Sequence, residues 1–369
     1  ATTRGQGRGL PTERSSARSR GVLPLIGLFV LAIGVGLARL DTDPGLLSYF
    51  AEGSELHDGL ARIDEDGGSS TLDLVVSDPG GDDVDARQVF ARLEALQASL
   101  EADSAVGVVL SPTILIGHAR TIPLAGFLPV GMLLDIASGE ALGGVALGFV
   151  TPDRDQARFA LRMRESVREP RSAVTERLIT KVSDAGLEPV TIAGLYDLQA
   201  QLGRLIGSSL RIGIGCLLLL FFGVAFAVSR SVTTSAKMWV CLAAIPVVIL
   251  GTFGHLGISV DIITSPAANI ALAIGADSII HLVVRVRRLS ATGEAFPWIA
   301  AVSQIRRPVM GATLIICAGF GIFVLSSFPP TRRFGLAVMV GTLAAATMAL
   351  VVLPRLAALA PSPGDARMA

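Results

Sequence analysis

Apolar and polar positions fall into two regimes along the chain. Six stretches are almost wholly apolar, Gly21–Ala38, Ile212–Ser229, Met238–Leu256, Ile262–Val284, Val309–Phe328 and Phe334–Leu353. Each is close to the roughly 20 residues that a helix needs to cross hydrocarbon. Between the first and second lies a stretch with the mixed composition of a soluble domain, residues 41–204, large enough for a core of its own. The pattern predicts a basic arm (1–20), a first membrane helix (21–40), an α+β domain (41–204), a bundle of five membrane helices (205–357) and a short tail (358–369).

Inside the polar stretch the period changes between two and 3.6. Ser70–Val76 (STLDLVV) and Val106–Leu110 read as strands, and Asp85–Ala102 carries Val89, Leu93, Leu96 and Leu100 at helical spacing. A second round follows: Gly143–Thr151 (GGVALGFVT) as a strand, Arg158–Val167, a helix over Ser172–Ala185 and a strand over Pro189–Ala193. Two strand–helix–strand units predict an open-faced α+β sandwich of repeated βαβ type. Pro112–Glu140, apolar but broken by Pro123 and Pro129, reads as a partly helical cover. It either faces lipid or substrate or belongs to the ordinary domain core, and the second reading is preferred.

Composition agrees with the spans. The chain has 369 residues, 51% hydrophobic and 17% charged, with mean hydropathy +0.61, too apolar for an ordinary soluble protein. Net charge is zero, but its placement is uneven. The arginines of the arm, Arg230, Lys237, the group Arg285, Arg287, Arg288, Arg306 and Arg307, and Arg355 and Arg367 fall on one side of the membrane, against Arg332 and Arg333 in the short loops of the other. The positive-inside rule puts the amino terminus in the cytoplasm and residues 41–204 outside it. A secretory signal peptide cut near Ala38 is the rival reading of the first stretch, and it leaves that side unchanged. No basic region interleaved with aromatics points to nucleic acid. Cys216, Cys241 and Cys317 all fall in apolar spans, so the polar domain has no disulfide. The leading alanine hints at a fragment or a processed product.

Candidate chemistry lies in the fourth span. From Ser265 to Val284 the only ionisable residues are Asp277 and His281, four apart and therefore on one helix face. An acid at mid-bilayer costs roughly 2.5–3.5 kcal/mol unless it faces a bundle interior or a wet cavity, so such residues usually have a use. Burial would let Asp277 take up and release a proton, with His281 as relay; the plainer reading is a polar pair that ties helices together. Ala267, Ala271 and Gly275, at spacings of four, would let a neighbouring helix approach closely and slide, or only make a tight static interface, and Asn269 and Thr313 either hydrogen-bond to partners inside the bundle or are satisfied by backbone. The spans contain no H-E-x-x-H, no G-x-S-x-G and no paired carboxylates, and the four histidines are scattered. No enzyme, metal or other cofactor is expected, and with no phosphate-binding loop, ATP is not the energy source.

The layout of one span, a two-unit α+β domain and five spans, with an acid in the fourth helix, resembles one half of a resistance-nodulation-division (RND) transporter. Ile274-Gly275-Ala276-Asp277-Ser278-Ile279-Ile280-His281-Leu282, followed by Arg285, Arg287 and Arg288, is similar to the fourth-helix motif of the MMPL-type exporters of hydrophobes and lipids. Pro308, Ala318-Gly319-Phe320-Gly321, Leu325 to Pro330, Phe334-Gly335 and Leu353-Pro354 continue the likeness, which begins at Leu46–Phe50 and Gly59–Val76. The resemblance implies export of lipids or other amphiphiles driven by protons, from the inner cell membrane, with Asp277 and His281 in the relay and Ser278 where many relatives carry Tyr. It also implies a second half or a homo-oligomeric partner, dimer or trimer, because relatives contain two such halves; the Ser326–Gly335 stretch is most like a carboxy-terminal one. The protein-translocation accessory branch is less similar around Ile280-His281. A sterol-sensing-like or scaffold protein that binds lipid without transport is the alternative. The pump reading expects Asp277 to be held among its fellow spans; contact with lipid would undo it.

Overall fold

The computed structural model describes residues 14–167 and 169–359. The basic arm up to residue 13 and the tail beyond residue 359 lie outside the described residues. Contacts separate the chain into two units, one running through Thr42 and resuming at Ile206, the other spanning Asp43–Leu205.

The Asp43–Leu205 unit is built on a four-stranded sheet of β1 (Ser70–Ser77), β2 (Val106–Leu110), β3 (Gln156–Met163) and β4 (Glu188–Ala193). The strand order is β2-β3-β1-β4 and every neighbouring pair is antiparallel. Strict alternation fixes the register: Leu72, Leu74 and Val76 of β1 point inward opposite Leu161, Phe159 and Ala157 of β3. Two helices close the core with one apolar stripe each, Arg87–Glu101 through Leu93, Leu96 and Leu100, and Arg171–Asp184 through Val174, Leu178 and Val182. Each β-helix-β crossover leaves room for one strand of the other unit, which is the split βαβ, ferredoxin-like arrangement.

Three segments differ from the sequence reading. Gly143–Thr151 is not a strand: Gly143 and Gly144 take φ of +65° and +67°, a left-handed pair that breaks the extended run into short turns, and only Val150 bridges to Ala157. The strand expected there is supplied by Gln156–Met163. Pro112–Glu140 holds two helices, Pro112–Ala119 and Val130–Ser138. Ile116, Leu133 and Leu134 enter the core, while Ile122, Leu124, Phe127 and Ile136 stay exposed. Glu55–Gly67 forms a helix that the reading passed over; its start is capped by Ser54, whose hydroxyl accepts the His57 N–H.

Among the described residues six helices are long and apolar enough to cross a membrane, Val22–Arg39, Leu195–Ser229, Val232–Leu256, Pro266–Ala291, Pro297–Leu325 and Pro329–Ala358, here called the first to sixth spans; apart from the start of the second, they lie in the other unit. Small residues set the closest crossings. A Cβ on Gly254 or Gly251 of the third span would strike the carbonyls of Gly36 and Ile33 in the first. On the fourth span, Ala271 lies where a Cβ on Gly341 of the sixth would fall, and Gly275 leaves room for Ile245 and Ala345. Around these crossings the core is made of Met238, Leu242, Ile245, Leu272, Ile279 and Val338. The sixth span widens into a π-turn at Met348–Val352. Pro354, four residues past Leu350, has no N–H to return to that carbonyl and crowds it, which accounts for the looser turn.

Candidate functional site

The fourth span begins at a built corner. Asp261, fully buried, accepts the N–H groups of Ile263 (2.9 Å) and Thr264 (2.8 Å) on Oδ1. The Thr264 hydroxyl in turn accepts the Asp261 N–H at 2.8 Å. With Pro266 opening the helix, this reciprocal cap fixes where the span starts. The other carboxylate oxygen of Asp261 faces Arg333 of the sixth span at 3.7 Å. Sequence reading missed this pair, although an Asp three residues before a Thr, ahead of a helix-opening Pro, is a recognisable start signal. At the opposite end, Arg285 donates to Gln304 of the fifth span and Arg287 to the Val228 carbonyl of the second at 2.5 Å. The helix is therefore pinned at both ends.

Between those pins its faces divide sharply. Ala271, Leu272, Gly275, Ile279 and Leu282 are buried against neighbouring spans, whereas Ile270, Ala273, Asp277, His281 and Arg288 form one exposed stripe. Asp277 and His281 meet at 3.3 Å, with side chains 73% and 71% exposed. The i, i+4 pair expected from spacing is made, but it does not lie among this chain's own spans. That corrects the expected burial, and its reason is periodicity: a helix whose small residues at 267, 271 and 275 pack inward turns positions 273, 277 and 281 outward.

Two of the supporting residues turn to the backbone of their own helices. The Ser278 hydroxyl donates to the Ile274 carbonyl of its own helix at 3.1 Å, and Thr313 likewise to Val309 at 2.8 Å. Neither bridges to another span, because a β-hydroxyl on a helix readily reaches the carbonyl four residues back. Asn269 sits opposite Gly213 of the second span, and its amide oxygen is buried with no hydrogen-bond partner. Among the described residues no cluster of three or more His, Cys, Asp or Glu could hold a metal ion.

Six membrane-length helices, one of them carrying a carboxylate–imidazole pair at mid-length, define a multi-pass membrane protein. The profile of the MMPL family matches residues 53–365. The chain belongs to that family, membrane transporters of the RND type. No curated protein sequence matches it.

Proposed function

We propose that this chain is a proton-driven exporter of lipids or other hydrophobic, amphiphilic molecules, and that Asp277 with His281 is its proton site. The observation that carries the reading is the pair itself, 3.3 Å apart on the exposed stripe of the fourth span. A stripe with an ionisable pair facing acyl chains would cost several kcal/mol, so the functional state requires a polar or proteinaceous cover. A second six-span unit, whether a second half or another copy of this chain, supplies it. Covered in this way, Asp277 exchanges its proton in a low dielectric, where gain or loss of charge shifts helix packing strongly. One proton crossing 100 mV releases about 2.3 kcal/mol, sufficient to shift the middle of a helix whose contacts there are the small residues Ala271 and Gly275. The working orientation places the amino terminus in the cytoplasm and residues 41–204 outside the inner membrane, where the cargo is released.

Proton flux tests this. Protein reconstituted in vesicles with a trapped pH-sensitive dye is expected to carry a proton leak or substrate-dependent flux that Asp277→Asn abolishes while the helix content is kept. Unchanged flux in the Asn variant excludes coupling through this residue, and the absence of flux from the parent protein favours a lipid-binding scaffold instead.

A further inference from the structure

The Asp43–Leu205 unit contains a charged cluster that no surface role explains. Arg171, at the start of the helix Arg171–Asp184, has a side chain only 7% exposed, and its partner Glu165, just beyond β3, is 1% exposed. The guanidinium donates to Glu165 Oε2 at 3.0 Å and to both the carboxylate and, at 3.1 Å, the carbonyl of Asp43, 128 residues away. The backbone N–H of Arg171 also reaches Asp43 Oδ2 at 3.2 Å. Its plane lies over the Tyr196 ring at 5.3 Å. Glu165 Oε2 further accepts the Leu46 N–H at 2.6 Å. Approach is so close at Gly45 that a Cβ there would collide with that same oxygen.

The positions of these partners in the chain are what matter. Asp43–Leu46 is the segment by which the chain enters the α+β unit after the first span. Tyr196 lies in the first turn of the helix Leu195–Ser229, by which it leaves and which continues as the second span. One guanidinium therefore holds both connections against the end of β3. The cluster is also incompletely satisfied: Arg171 Nε and Glu165 Oε1 are buried without hydrogen-bond partners. Groups left over in a buried network are the ones that can take up new bonds when their neighbours shift.

We propose that Arg171 is the residue that couples the α+β unit to its membrane connections, passing displacement of the Asp43–Leu46 segment or of the Tyr196 turn to β3 and the sheet. It acts as a positioning residue, touching neither proton nor cargo. The inference rests on the transport reading above, because the displacement it transmits originates at Asp277.

Hydrogen–deuterium exchange on the full chain in lipid nanodiscs tests it, with Asp277→Asn standing in for the protonated acid. The Asn variant is expected to alter exchange in the fourth span and also in peptides covering 43–47, the end of β3 and 195–199. Adding Arg171→Met should leave the fourth-span change intact and cut the response of those three peptides about tenfold, and Arg171→Lys should restore part of it, because an ammonium keeps the ion pairs and loses the fork. A merely structural arginine would change baseline exchange in these peptides without changing their response to Asp277→Asn. If Arg171→Met does not fold, Tyr196→Leu, which keeps the burial and the ion pairs, is expected to silence 195–199 alone. A full response in a folded Arg171→Met or Tyr196→Leu protein overturns the coupling role. An unresponsive fourth span in Asp277→Asn overturns the proton reading and this one with it, which separates the two failures.

Discussion

The acid–histidine pair of the bundle is treated unlike the buried acids of the α+β unit. In the α+β unit the strongly buried acids are met from within the same unit: Asp103 by Arg177 at 2.9 Å and Lys181 at 3.2 Å, Glu165 by Arg171, and Asp64 by the N–H groups of Glu165 at 2.7 Å and Ser166 at 2.8 Å. In the bundle the acid–histidine pair points away from every neighbouring span of the chain. The α+β unit thus sets a cation or backbone N–H groups against each of these buried carboxylates. If that pair meets hydrocarbon, the bundle is unfinished, because acyl chains offer a carboxylate nothing. On the transport reading the missing partner of the site is therefore protein, and it belongs on the stripe from Ile270 to Arg288.

The largest effect is expected from filling that stripe. Ala273→Trp places a bulky ring one turn from Asp277, and where a second unit packs on the stripe it should lower proton flux about a hundredfold, since transmembrane contacts depend on close van der Waals fit. Ile315→Trp, on the exposed side of the fifth span, should leave flux within about twofold, as expected of a lipid-facing swap. Equal effects of the two, in vesicles with the same reconstitution yield, would show that the two faces have the same neighbour.

Next comes packing within the bundle. Gly254→Leu forces a side chain into the Gly36 carbonyl, where only backbone movement can relieve it, and should cost about 3 kcal/mol or more by overpacking. Gly275→Ala meets chiefly the far end of Ile245, which can turn aside, and should cost about 1 kcal/mol. Thermal unfolding in detergent ranks the two, and a reversed order would mean that the first span does not pack on the third through its glycines.

Titration of the α+β unit supplies a third, smaller effect. The Arg177 hydrogen bond, with help from Lys181 and the Ala105 N–H, holds the Asp103 carboxyl down to about 2 from its usual 3.8. A depressed pKa stabilises the fold above the unfolded value and loses that contribution as pH falls through the folded one. Asp103→Asn should therefore remove about 2 kcal/mol at pH 7, and the difference from the parent should vanish between about pH 4 and 2. Glu165 runs the other way. Burial raises its pKa despite the Arg171 charge, so at this group falling pH stabilises the fold, between the raised folded value and the unfolded 4.5. Urea unfolding followed across pH 2–7 separates these opposite slopes.

Most of the architecture was legible because each regime of the sequence has one period. Apolar runs near twenty residues gave six spans, and alternation at Ser70–Val76 placed β1. Gly143–Thr151 misled because its apolar content is strand-like while two positive-φ glycines cut it, a conformational fact that hydropathy does not carry. The pairing of Asp277 with His281 followed from spacing alone. Which way the pair faces did not, since a helix apolar nearly all round gives no outward sign; the small residues at 267, 271 and 275 were the usable clue, and they point to the opposite face. Arg171 was invisible for another reason: its partners lie 128 and 25 positions away, and sequence proximity says nothing about such closures.

The smallest effect is expected at a surface pair. Arg158 and Asp73 join across neighbouring strands of the α+β unit at 2.8 Å, with side chains 46% and 31% exposed. Water screens such a pair and side-chain ordering offsets its attraction, so Arg158→Gln should cost less than about 1 kcal/mol and less still in molar salt. Asp277 and His281 are more exposed still in this chain and stand slightly farther apart, yet their removal is expected to abolish function. On the transport reading the two pairs also differ in the solvent that meets them, water in one case and hydrocarbon in the other. If Arg158→Gln destabilised the unit by several kcal/mol, exposure to water would not be what makes a charge pair inexpensive here, and the case for a protein cover over Asp277 would lose its reference point.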